Sequence, residues 1–309
     1  MTNNNNDEST LGQPDNSAGG HLIKKALPIR RKTTALPIVG LGASAGGLEA
    51  LETFFKAMSA DSGAAFVIVA HLDPHHVSLM PELLQKHTTM PVAQVVDGTR
   101  TQANHVYIIP PNKSLSILNG TLQLLELMQP RGRSLPIDSF FHALAQDQGT
   151  NAIGIILSGT GTDGSIGLKA IKAELGMTMV QSEKSAKYDG MPHSAIATKA
   201  VDYILPAEQL PEQLSAYLNH STYNAPIELF PQEGEAPNAL QKIFLILRER
   251  TSHDFSLYKK NTICRRIERR MNVQQLTSIA DYVRYLQKSE HEADTLFNEL
   301  LIGVTNFFR

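Results

Sequence analysis

From Leu36 onward, short apolar runs that end near glycine or proline alternate with segments of helical periodicity. The most apolar of these runs cover residues 36–41, 64–70, 152–157 and 177–180. Strands that alternate with helices of about 10 to 15 residues are typical of βαβ units, in which neighbouring strands run parallel. The alternation therefore predicts an α/β domain with a mainly parallel sheet over residues 36–219.

One stretch of this domain departs from the alternation. Residues 106–109, 114–118 and 121–127 are three short apolar segments separated by turn residues and not by a helix. Between the last two segments lies Asn119-Gly120, a dipeptide that favours the type I′ turn of a two-residue hairpin. We expect an antiparallel hairpin in this stretch.

The remaining segments differ in composition from the α/β domain. Residues 1–35 are rich in Asn, Ser, Gly and Pro and end in a basic patch, which predicts a disordered tail. Residues 220–237 contain several prolines and no clear periodicity, as expected of a linker. Residues 238–309 lack proline and have no glycine before Gly303, and their apolar residues recur at helical spacing, so we predict a small all-α helical module.

Composition excludes several classes of protein. The 309 residues include a single cysteine, Cys264, which is too few for a disulfide framework or a zinc ribbon. The longest apolar runs are far below the ~20 residues of a membrane span, and the N-terminus has no hydrophobic signal core. We therefore expect a cytoplasmic protein without membrane insertion.

The formal net charge of −2 gives no reason to expect a nucleic-acid partner, but it hides a division along the chain. Residues 238–309 contain 12 Lys and Arg against 8 Asp and Glu, a net charge of +4. Residues 1–237 contain the other 16 and 22, a net charge of −6. The helical module is therefore basic and the part before it is acidic.

The strongest local motif is G-x-S-x-G at residues 42–46, between a predicted strand and a predicted helix. In this context the small residues allow a sharp turn that presents Ser44 at the edge of the sheet as a nucleophile. Two other interpretations remain open. The turn could serve only close packing, or Gly40, Gly42 and Ala45 could form the G-x-G-x-x-A fingerprint of a dinucleotide site.

His71 ends the next predicted strand and can therefore reach Ser44. It is a candidate catalytic base, although a solvent-facing histidine would satisfy the same pattern. A metal site is the third possibility, because Asp73, His75 and His76 follow closely and imidazole and carboxylate groups are good zinc ligands.

Asp163 follows another predicted strand, within a glycine-rich loop that starts at Ser158. It could cap the helix that follows, or it could be the carboxylate of a triad with Ser44 and His71. All three residues come after strands, at the edge where open α/β sheets gather their sites. We expect oxyanion donors among the backbone N–H groups at Ala45 and in the loop with Thr160 and Gly161.

Four arginines of the helical module share one side of a predicted helix: Arg265, Arg266, Arg269 and Arg270. Such a surface could bind an acidic helix of a partner protein, which makes these residues candidates for receptor binding. The alternative is a solvated face of an amphipathic helix.

Taken together, these motifs resemble a known family. Residues 36–218 resemble the catalytic domain of the chemotaxis receptor methylesterase, a CheB-like protein-glutamate methylesterase. The resemblance lies in IVGLGASAGG at 38–47, VAH at 69–71, VYIIPP at 106–111, LSGTGTDG at 157–164, DGMP at 189–192 and AVDYILP at 200–206.

The resemblance implies a doubly wound, mainly parallel sheet and a serine hydrolase without a metal or another cofactor. Ser44 would be the nucleophile, His71 the general base and Asp163 its orienting carboxylate. The substrate would be a γ-glutamyl methyl ester on a helix of a methyl-accepting chemoreceptor, and some relatives also deamidate glutamine. Thr160 stands where many relatives have methionine, and residues 1–35 are too few for the receiver domain that usually comes first.

Residues 238–309 resemble the N-terminal helical domain of the receptor methyltransferase, a CheR-like enzyme. The resemblance lies in SLYKK at 256–260, ICRRIERRM at 263–271 and LIGVTNFFR at 301–309. The S-adenosylmethionine-binding domain of that family would begin where this sequence stops, so we expect a fragment of a fusion, without transferase activity of its own. The alternative functions are a catalytically idle receptor-binding module and a metallohydrolase centred on His71, His75 and His76.

Overall fold

The computed structural model of the protein describes residues 36–71, 79–126, 135–220 and 236–302. The predicted tail at 1–35, most of the predicted linker at 220–237 and the last seven residues lie outside the described residues. In the described part of the chain, none of the helices combines the length and the apolar character that crossing a bilayer requires.

The described elements alternate as the sequence pattern predicts. The strands are β1 (Ile38–Ala43), β2 (Ala65–Ala70), β3 (Val92–Gln94), β4 (Thr99–Arg100), β5 (His105–Ile108), β6 (Lys113–Leu118), β7 (Thr121–Glu126), β8 (Ala152–Ile156), β9 (Met177–Gln181) and β10 (Tyr203–Leu205). The α-helices are α1 (Gly47–Ala57), α2 (Met80–Gln85), α3 (Pro136–Gln148), α4 (Ser165–Ala173), α5 (Gly190–Ala197), α6 (Leu210–Asn219), α7 (Ala236–Thr251), α8 (Lys260–Val273), α9 (Ile279–Lys288) and α10 (Glu290–Ile302).

Seven strands form one sheet in the order β10-β9-β8-β1-β2-β5-β3, and all its neighbouring pairs are parallel. The chain moves outward from β1 in one direction, returns to β8 on the other side of β1, and then continues outward through β9 and β10. The strand order therefore reverses next to β1, and such a reversal is where open α/β sheets form their binding crevice.

Helices cover both faces of this sheet, which confirms the doubly wound α/β fold. Phe54 of α1 and Leu214 of α6 belong to the apolar core on one face, whereas Phe141 of α3 and Leu168 of α4 belong to the core on the other. Alternate side chains of each strand enter the two cores, because successive residues of a strand point to opposite faces.

The glycines of β1 serve the close packing of α3. A Cβ atom on Gly40 would lie 2.8 Å from Cε1 of Phe141, and one on Gly42 would lie 2.5 Å from Cγ2 of Ile137. Side chains of α3 therefore occupy the space beside both glycines. Close packing is thus a sufficient reason for glycine at positions 40 and 42.

A second sheet of the described chain has three antiparallel strands in the order β4-β7-β6. Its β6–β7 hairpin turns at Asn119 and Gly120, whose φ angles of 52° and 71° are both positive, as a type I′ turn requires. The predicted hairpin is thus confirmed. The sequence pattern groups the segment at 106–109 with this hairpin region. In the structure this segment is β5, which instead pairs with β2 in the parallel sheet.

The helical module consists of α7, α8, α9 and α10 around a core of its own, which confirms the predicted all-α character. Ile243, Ile267, Tyr282 and Leu296 represent the four helices in this core. Val273, at the end of α8, instead belongs to the core of the α/β domain, so this helix contacts both domains.

Candidate active site

Ser44 lies in the sharp turn between β1 and α1. Its N–H donates to the carbonyl oxygen of Ser158 at 3.0 Å, and its own carbonyl oxygen accepts from the N–H of Gly47 at 2.8 Å. Gly46 completes the turn with a φ of 69°, a conformation that glycine adopts without strain. The side chain of Ser44 is half-buried at the C-terminal edge of the sheet.

His71 comes directly after β2, beside the end of β1. Its N–H donates to the carbonyl oxygen of Ala43 at 3.3 Å, which continues the parallel pairing of the two strands by one residue. Nδ1 of its ring lies 3.2 Å from Oγ of Ser44. Thirty-eight per cent of the His71 side chain is exposed, so the pair faces the open edge of the sheet.

Asp163 follows β8 on the other side of β1 and is almost completely buried, with 2% of its surface exposed. Its Oδ2 lies 3.0 Å from Nε2 of His71. The same carboxylate accepts the N–H groups of Ile137 at 3.0 Å and Asp138 at 2.9 Å, in the first turn of α3. The N-terminus of α3 thus provides donors and a favourable dipole for a negative charge at Asp163.

The alternative interpretation of Asp163 as the cap of the helix that follows it is wrong. Gly164, and not Asp163, is the N-cap residue of α4, the helix that follows, and glycine has no side chain to cap it. Asp163 caps α3 instead, while its Oδ2 also faces His71. The same carboxylate thus caps a helix other than the predicted one and also faces His71.

The three side chains form a continuous hydrogen-bonded chain from Ser44 through His71 to Asp163. An ionised carboxylate only accepts, so Nε2 of His71 carries the proton that faces Asp163. Nδ1 then has a free electron pair directed at the hydroxyl of Ser44, as a general base requires. The other residues of the metal hypothesis, Asp73, His75 and His76, lie outside the described residues.

The loop after β8 packs against the serine turn. Oγ of Ser158 donates to the carbonyl oxygen of Ala45 at 2.9 Å, and a Cβ atom on Gly159 would lie 3.0 Å from that of Ser44. The N–H of Gly159 is bonded to the carbonyl oxygen of Tyr188 at 3.0 Å. The lack of a side chain at Gly159 therefore leaves room for Ser44, but the N–H of Gly159 is already used and cannot bind a substrate.

The predicted oxyanion donors are the backbone N–H groups of Ala45, Thr160 and Gly161. Within the described residues, the backbone N–H groups of Ala45, Thr160 and Gly161 donate to no acceptor. Thr160 and Gly161 are exposed, and Gly161 has a φ of 86°. These N–H groups are therefore not engaged by the described part of the chain.

The predicted arginine surface of α8 is wrong for three of its four residues. Arg266, Arg269 and Arg270 are only 6%, 4% and 3% exposed, and Arg265 alone faces solvent. Other residues of the same chain cover these three side chains. The physical reason is that this side of α8 lies against the α/β domain, whose carbonyl and carboxylate oxygens complement the guanidinium groups.

Main-chain oxygens of the α/β domain accept many of these hydrogen bonds. Arg266 donates to the carbonyl oxygens of Lys172 at 3.1 Å and Ala173 at 3.0 Å, at the C-terminus of α4, where the helix dipole favours a cation. Arg269 donates twice to the carbonyl oxygen of Gly176, at 3.1 and 2.7 Å. The arginines thus bind the end of α4 and the turn that follows it.

Buried carboxylates complete the contact. Asp202 lies 2.5 Å from Arg269, 3.2 Å from Arg270 and 3.1 Å from Lys172, and Glu299 of α10 lies 2.7 Å from Arg269. Burial alone would raise the pKa of Asp202, but Arg269, Lys172 and Arg270 keep it well below the usual range of an aspartate. The charges of this cluster are therefore paired across the two domains.

Comparison with known families now adds to this geometry. A family model described as CheB methylesterase matches residues 39–214, which is more than half of the chain and includes all three residues of the hydrogen-bonded chain. The chain belongs to the CheB methylesterase family. A second model, the all-alpha domain of CheR methyltransferase, matches residues 238–301. Both resemblances found in the sequence are confirmed.

Two relatives whose names state an activity agree with this assignment, and a third relative is uncharacterised. A protein-glutamate methylesterase/protein-glutamine glutaminase of Burkholderia pseudomallei is 31% identical over 204 residues, which are 63% of this chain and 60% of that protein. One from Geobacter metallireducens is 33% identical over 198 residues, 62% of this chain and 54% of that protein. An uncharacterised 104.1 kDa protein of Rhodobacter capsulatus is 35% identical over 250 residues, 74% of this chain and 26% of that protein.

The chain thus spans between about a quarter and three fifths of the length of these relatives. Among solved structures, the CheB methylesterase catalytic domain of Thermotoga maritima is similar, with a TM-score of 0.54 and 26% identity. That match covers 59% of this chain and 98% of the Thermotoga domain.

The sequence does not predict the contact between Asp163 and the N-terminus of α3. Ile137 and Asp138 bind Asp163 through their N–H groups, although they lie about 25 residues before it. The only local signal is Pro136, which favours the first position of a helix, with an acidic residue two positions later. That signal predicts where α3 begins but not which side chain its N-terminus binds.

Proposed function

We propose that this chain is a protein-glutamate methylesterase, which hydrolyses γ-glutamyl methyl esters on the cytoplasmic helices of chemoreceptors. The observation that supports the proposal most strongly is the hydrogen-bonded chain of Ser44, His71 and Asp163 at the strand-order reversal of a CheB-family domain. The substrate named for the Burkholderia and Geobacter relatives is the second support.

In the first half of the reaction, Oγ of Ser44 attacks the carbonyl carbon of the methyl ester while Nδ1 of His71 takes the hydroxyl proton. Asp163 stabilises the imidazolium that forms and keeps the ring in the correct tautomer. The tetrahedral intermediate then collapses, and His71 returns the proton to the methoxide, which leaves as methanol. Ser44 remains acylated by the γ-carboxyl group of the glutamate.

In the second half, His71 takes a proton from a water molecule that attacks the acyl carbon. Collapse of this second intermediate releases glutamate, and the proton goes back to Ser44. We assign the N–H of Ala45, together with those of Thr160 and Gly161, to the oxyanion that develops in both halves. Each such donor typically contributes a factor of about 10² to 10³ in rate.

Glutamine deamidation is a second activity that the names of the relatives favour, since they read protein-glutamine glutaminase as well as methylesterase. The chemistry needs only a change of leaving group. His71 would protonate the amide nitrogen, and ammonia would leave in place of methanol, with the same acylated Ser44 as intermediate.

The proposed partners are the methylated helices of a chemoreceptor, which implies a cytoplasmic protein. The exposed edge with Ser44 and His71 is where such a helix would present its ester. Arg265 is the one arginine of the predicted set that can contact this partner, because the other three are buried.

The test is release of methanol from a helical peptide that carries a γ-methyl glutamate. We expect Ser44→Ala to lower turnover by on the order of 10⁴-fold or more, since no other group replaces the nucleophile. Ser116→Ala, in β6 of the smaller sheet, is the matched control and should behave like the wild type. A serine-reactive fluorophosphonate should label the wild type and the control but not Ser44→Ala.

Each alternative function gives a different result in the same assay. No methanol release by the folded wild type would indicate an idle binding module, and release that chelators abolish would indicate a metallohydrolase. Near-wild-type turnover of Ser44→Ala would overturn the proposed triad.

A further inference from the structure

Helices α3 and α4 begin side by side, and an aspartate next to each start binds the first turn of the other. Asp163, two residues before α4, accepts the N–H groups of Ile137 and Asp138 in α3. Asp138 in turn accepts the N–H of Gly167, the third residue of α4, on Oδ1 at 2.7 Å. The two carboxyl groups therefore cross between the helices and satisfy N–H groups that a helix start leaves without an intrahelical acceptor.

Asp138 makes this contact in a buried position, where no cation of the described residues pairs with it. Only 8% of its surface is exposed, and its Oδ2 has no hydrogen-bond partner among the described residues. Burial raises the pKa of Asp138, and the nearby charge of Asp163 adds to this effect, while the N–H of Gly167 opposes it.

Helices α3 and α4 also pack so closely at Gly167 that neither can shift without displacing the other. A Cβ atom on Gly167 would lie 2.4 Å from Cβ of Phe141 and 3.2 Å from Cα of Asp138. The start of α4 is thus pressed on the first turns of α3, and Asp163 lies just before that start. A shift of α4 relative to α3 would therefore move Asp163 relative to His71.

We propose that Asp138 is a positioning residue for the catalytic carboxylate: its carboxyl group ties the start of α4 to α3 and thereby fixes Asp163 on His71. The proposal rests on the proposed function, in which Asp163 orients the general base. Asp138 touches neither Ser44 nor His71 in the described structure, so it acts only through Asp163. A displacement of about 1 Å at a catalytic group can cost on the order of 10²-fold in rate.

The experiment compares Asp138→Ala with Asp138→Asn in the full chain, by methanol release from the γ-methyl glutamate peptide. Asp138→Ala removes the acceptor of the Gly167 N–H, and we expect kcat to fall about 10- to 100-fold while KM changes less than about twofold. Asp138→Asn keeps a neutral oxygen acceptor at the same place and should stay within about threefold of the wild type. The rate of fluorophosphonate labelling of Ser44 should follow kcat in both variants.

Ile171→Val is the matched control, because it loosens the other end of α4, where Ile171 packs beside Gly154 and Gly176. It should lower the unfolding temperature with no change in kcat. If Asp138→Ala does not fold, Asp138→Glu replaces it, since the longer side chain displaces the acceptor oxygen and should lower kcat at least tenfold.

Three results would overturn the positioning role: wild-type kcat in Asp138→Ala, a loss in Asp138→Asn as large as that in Asp138→Ala, or an equal loss of kcat in Ile171→Val. In each of these cases the methylesterase proposal stands as long as the wild type releases methanol and Ser44→Ala does not. An inactive folded wild type, or an active Ser44→Ala, would instead remove the proposed function itself.

Discussion

Asp163 accepts hydrogen bonds from two directions, and each direction uses a particular oxygen atom. Oδ2 faces both Nε2 of His71 and the N–H of Ile137, while Oδ1 accepts the N–H of Asp138. All three partners are N–H donors, so this position requires a side chain with two acceptor oxygens and no donor. A carboxylate meets this condition, whereas a carboxamide of the same shape does not.

Asp163→Asn should for this reason be nearly inactive. Whichever way the amide is turned, its NH₂ group meets a backbone N–H, that of Ile137 at the Oδ2 position or that of Asp138 at the Oδ1 position. With NH₂ at the Oδ2 position, His71 can accept from it only in the tautomer that presents a proton to Ser44. By analogy with other serine hydrolase triads, we expect kcat for methanol release to fall about 10³- to 10⁴-fold. The matched control is Asp147→Asn, since Asp147 also accepts two backbone N–H groups, from Asn119 and Gly120, but lies far along α3. A residual kcat above a tenth of the wild-type value would contradict the role of Asp163.

At the scale of residues, the sequence predicts site residues that follow the ends of strands. It does not predict residues whose side chain on one helix binds the backbone of another helix. Ser44, His71 and Asp163 each come directly after or soon after a strand, and neighbouring parallel strands bring such positions together. Asp138 has no comparable signal, because an acidic residue in the first turn of a helix is common and its partner Gly167 is 29 residues away. The contact depends on the angle between two helices, which periodicity does not contain.

At the scale of elements, the local pattern was sufficient where the partner of a strand is its neighbour in the chain. The β6–β7 hairpin follows from Asn119-Gly120, because the turn determines which residues pair. The partner of β5 does not follow from the local pattern, for the opposite reason. Its partner β2 lies about 40 residues earlier, and nothing in the segment itself distinguishes a parallel strand from the first arm of a hairpin.

The crossing of α3 and α4 leads to a prediction about Gly167. Alanine in a helix is intrinsically about 1 kcal/mol more favourable than glycine, so Gly167→Ala would stabilise an isolated α4. In the protein its Cβ would lie 2.4 Å from Cβ of Phe141, an atom that no rotamer change can move away. Overpacking of this kind costs about 1–3 kcal/mol, and after the helical gain we expect a net destabilisation of up to about 2 kcal/mol.

Urea unfolding measures this effect, with Lys169→Ala as the control. Lys169 is exposed on the same helix, so its replacement by alanine should change the free energy of unfolding by less than about 0.5 kcal/mol. Stabilisation by Gly167→Ala would show that α3 and α4 can separate at no cost.

At the scale of the whole molecule, the basic helical module and the acidic domain meet through α8. Helical periodicity places the arginines on one side of α8, but it gives no information on whether water or protein covers that side. In the structure, Arg269 bridges Gly176 and Asp202 of the α/β domain to Glu299 of α10. The charge asymmetry of the sequence thus reflects, at least for these residues, a contact within the chain.

Arg269→Ala should weaken this contact strongly. Removing one partner of a buried ion pair leaves the other charge without compensation, and this typically costs about 3–5 kcal/mol. Arg265→Ala removes an exposed arginine from the same helix and should cost less than about 0.5 kcal/mol. Urea unfolding of the two variants tests the difference, and equal stabilities would mean that Arg269 is not part of a buried cluster in solution.

The same cluster predicts a dependence on pH. The pKa values of Asp202 and Glu299 are lowered in the folded protein, so at acidic pH the unfolded chain binds more protons than the folded one. The two carboxylates therefore stabilise the fold above the ordinary carboxyl pKa of about 4. This stabilisation is lost progressively as the pH falls below that value. Arg269 is the largest attractive charge on both groups, so Arg269→Ala should bring their pKa values closer to the ordinary range. The stability difference between wild type and Arg269→Ala should therefore be smaller at pH 3 than at pH 7, whereas an unchanged difference would exclude the paired carboxylates as its source.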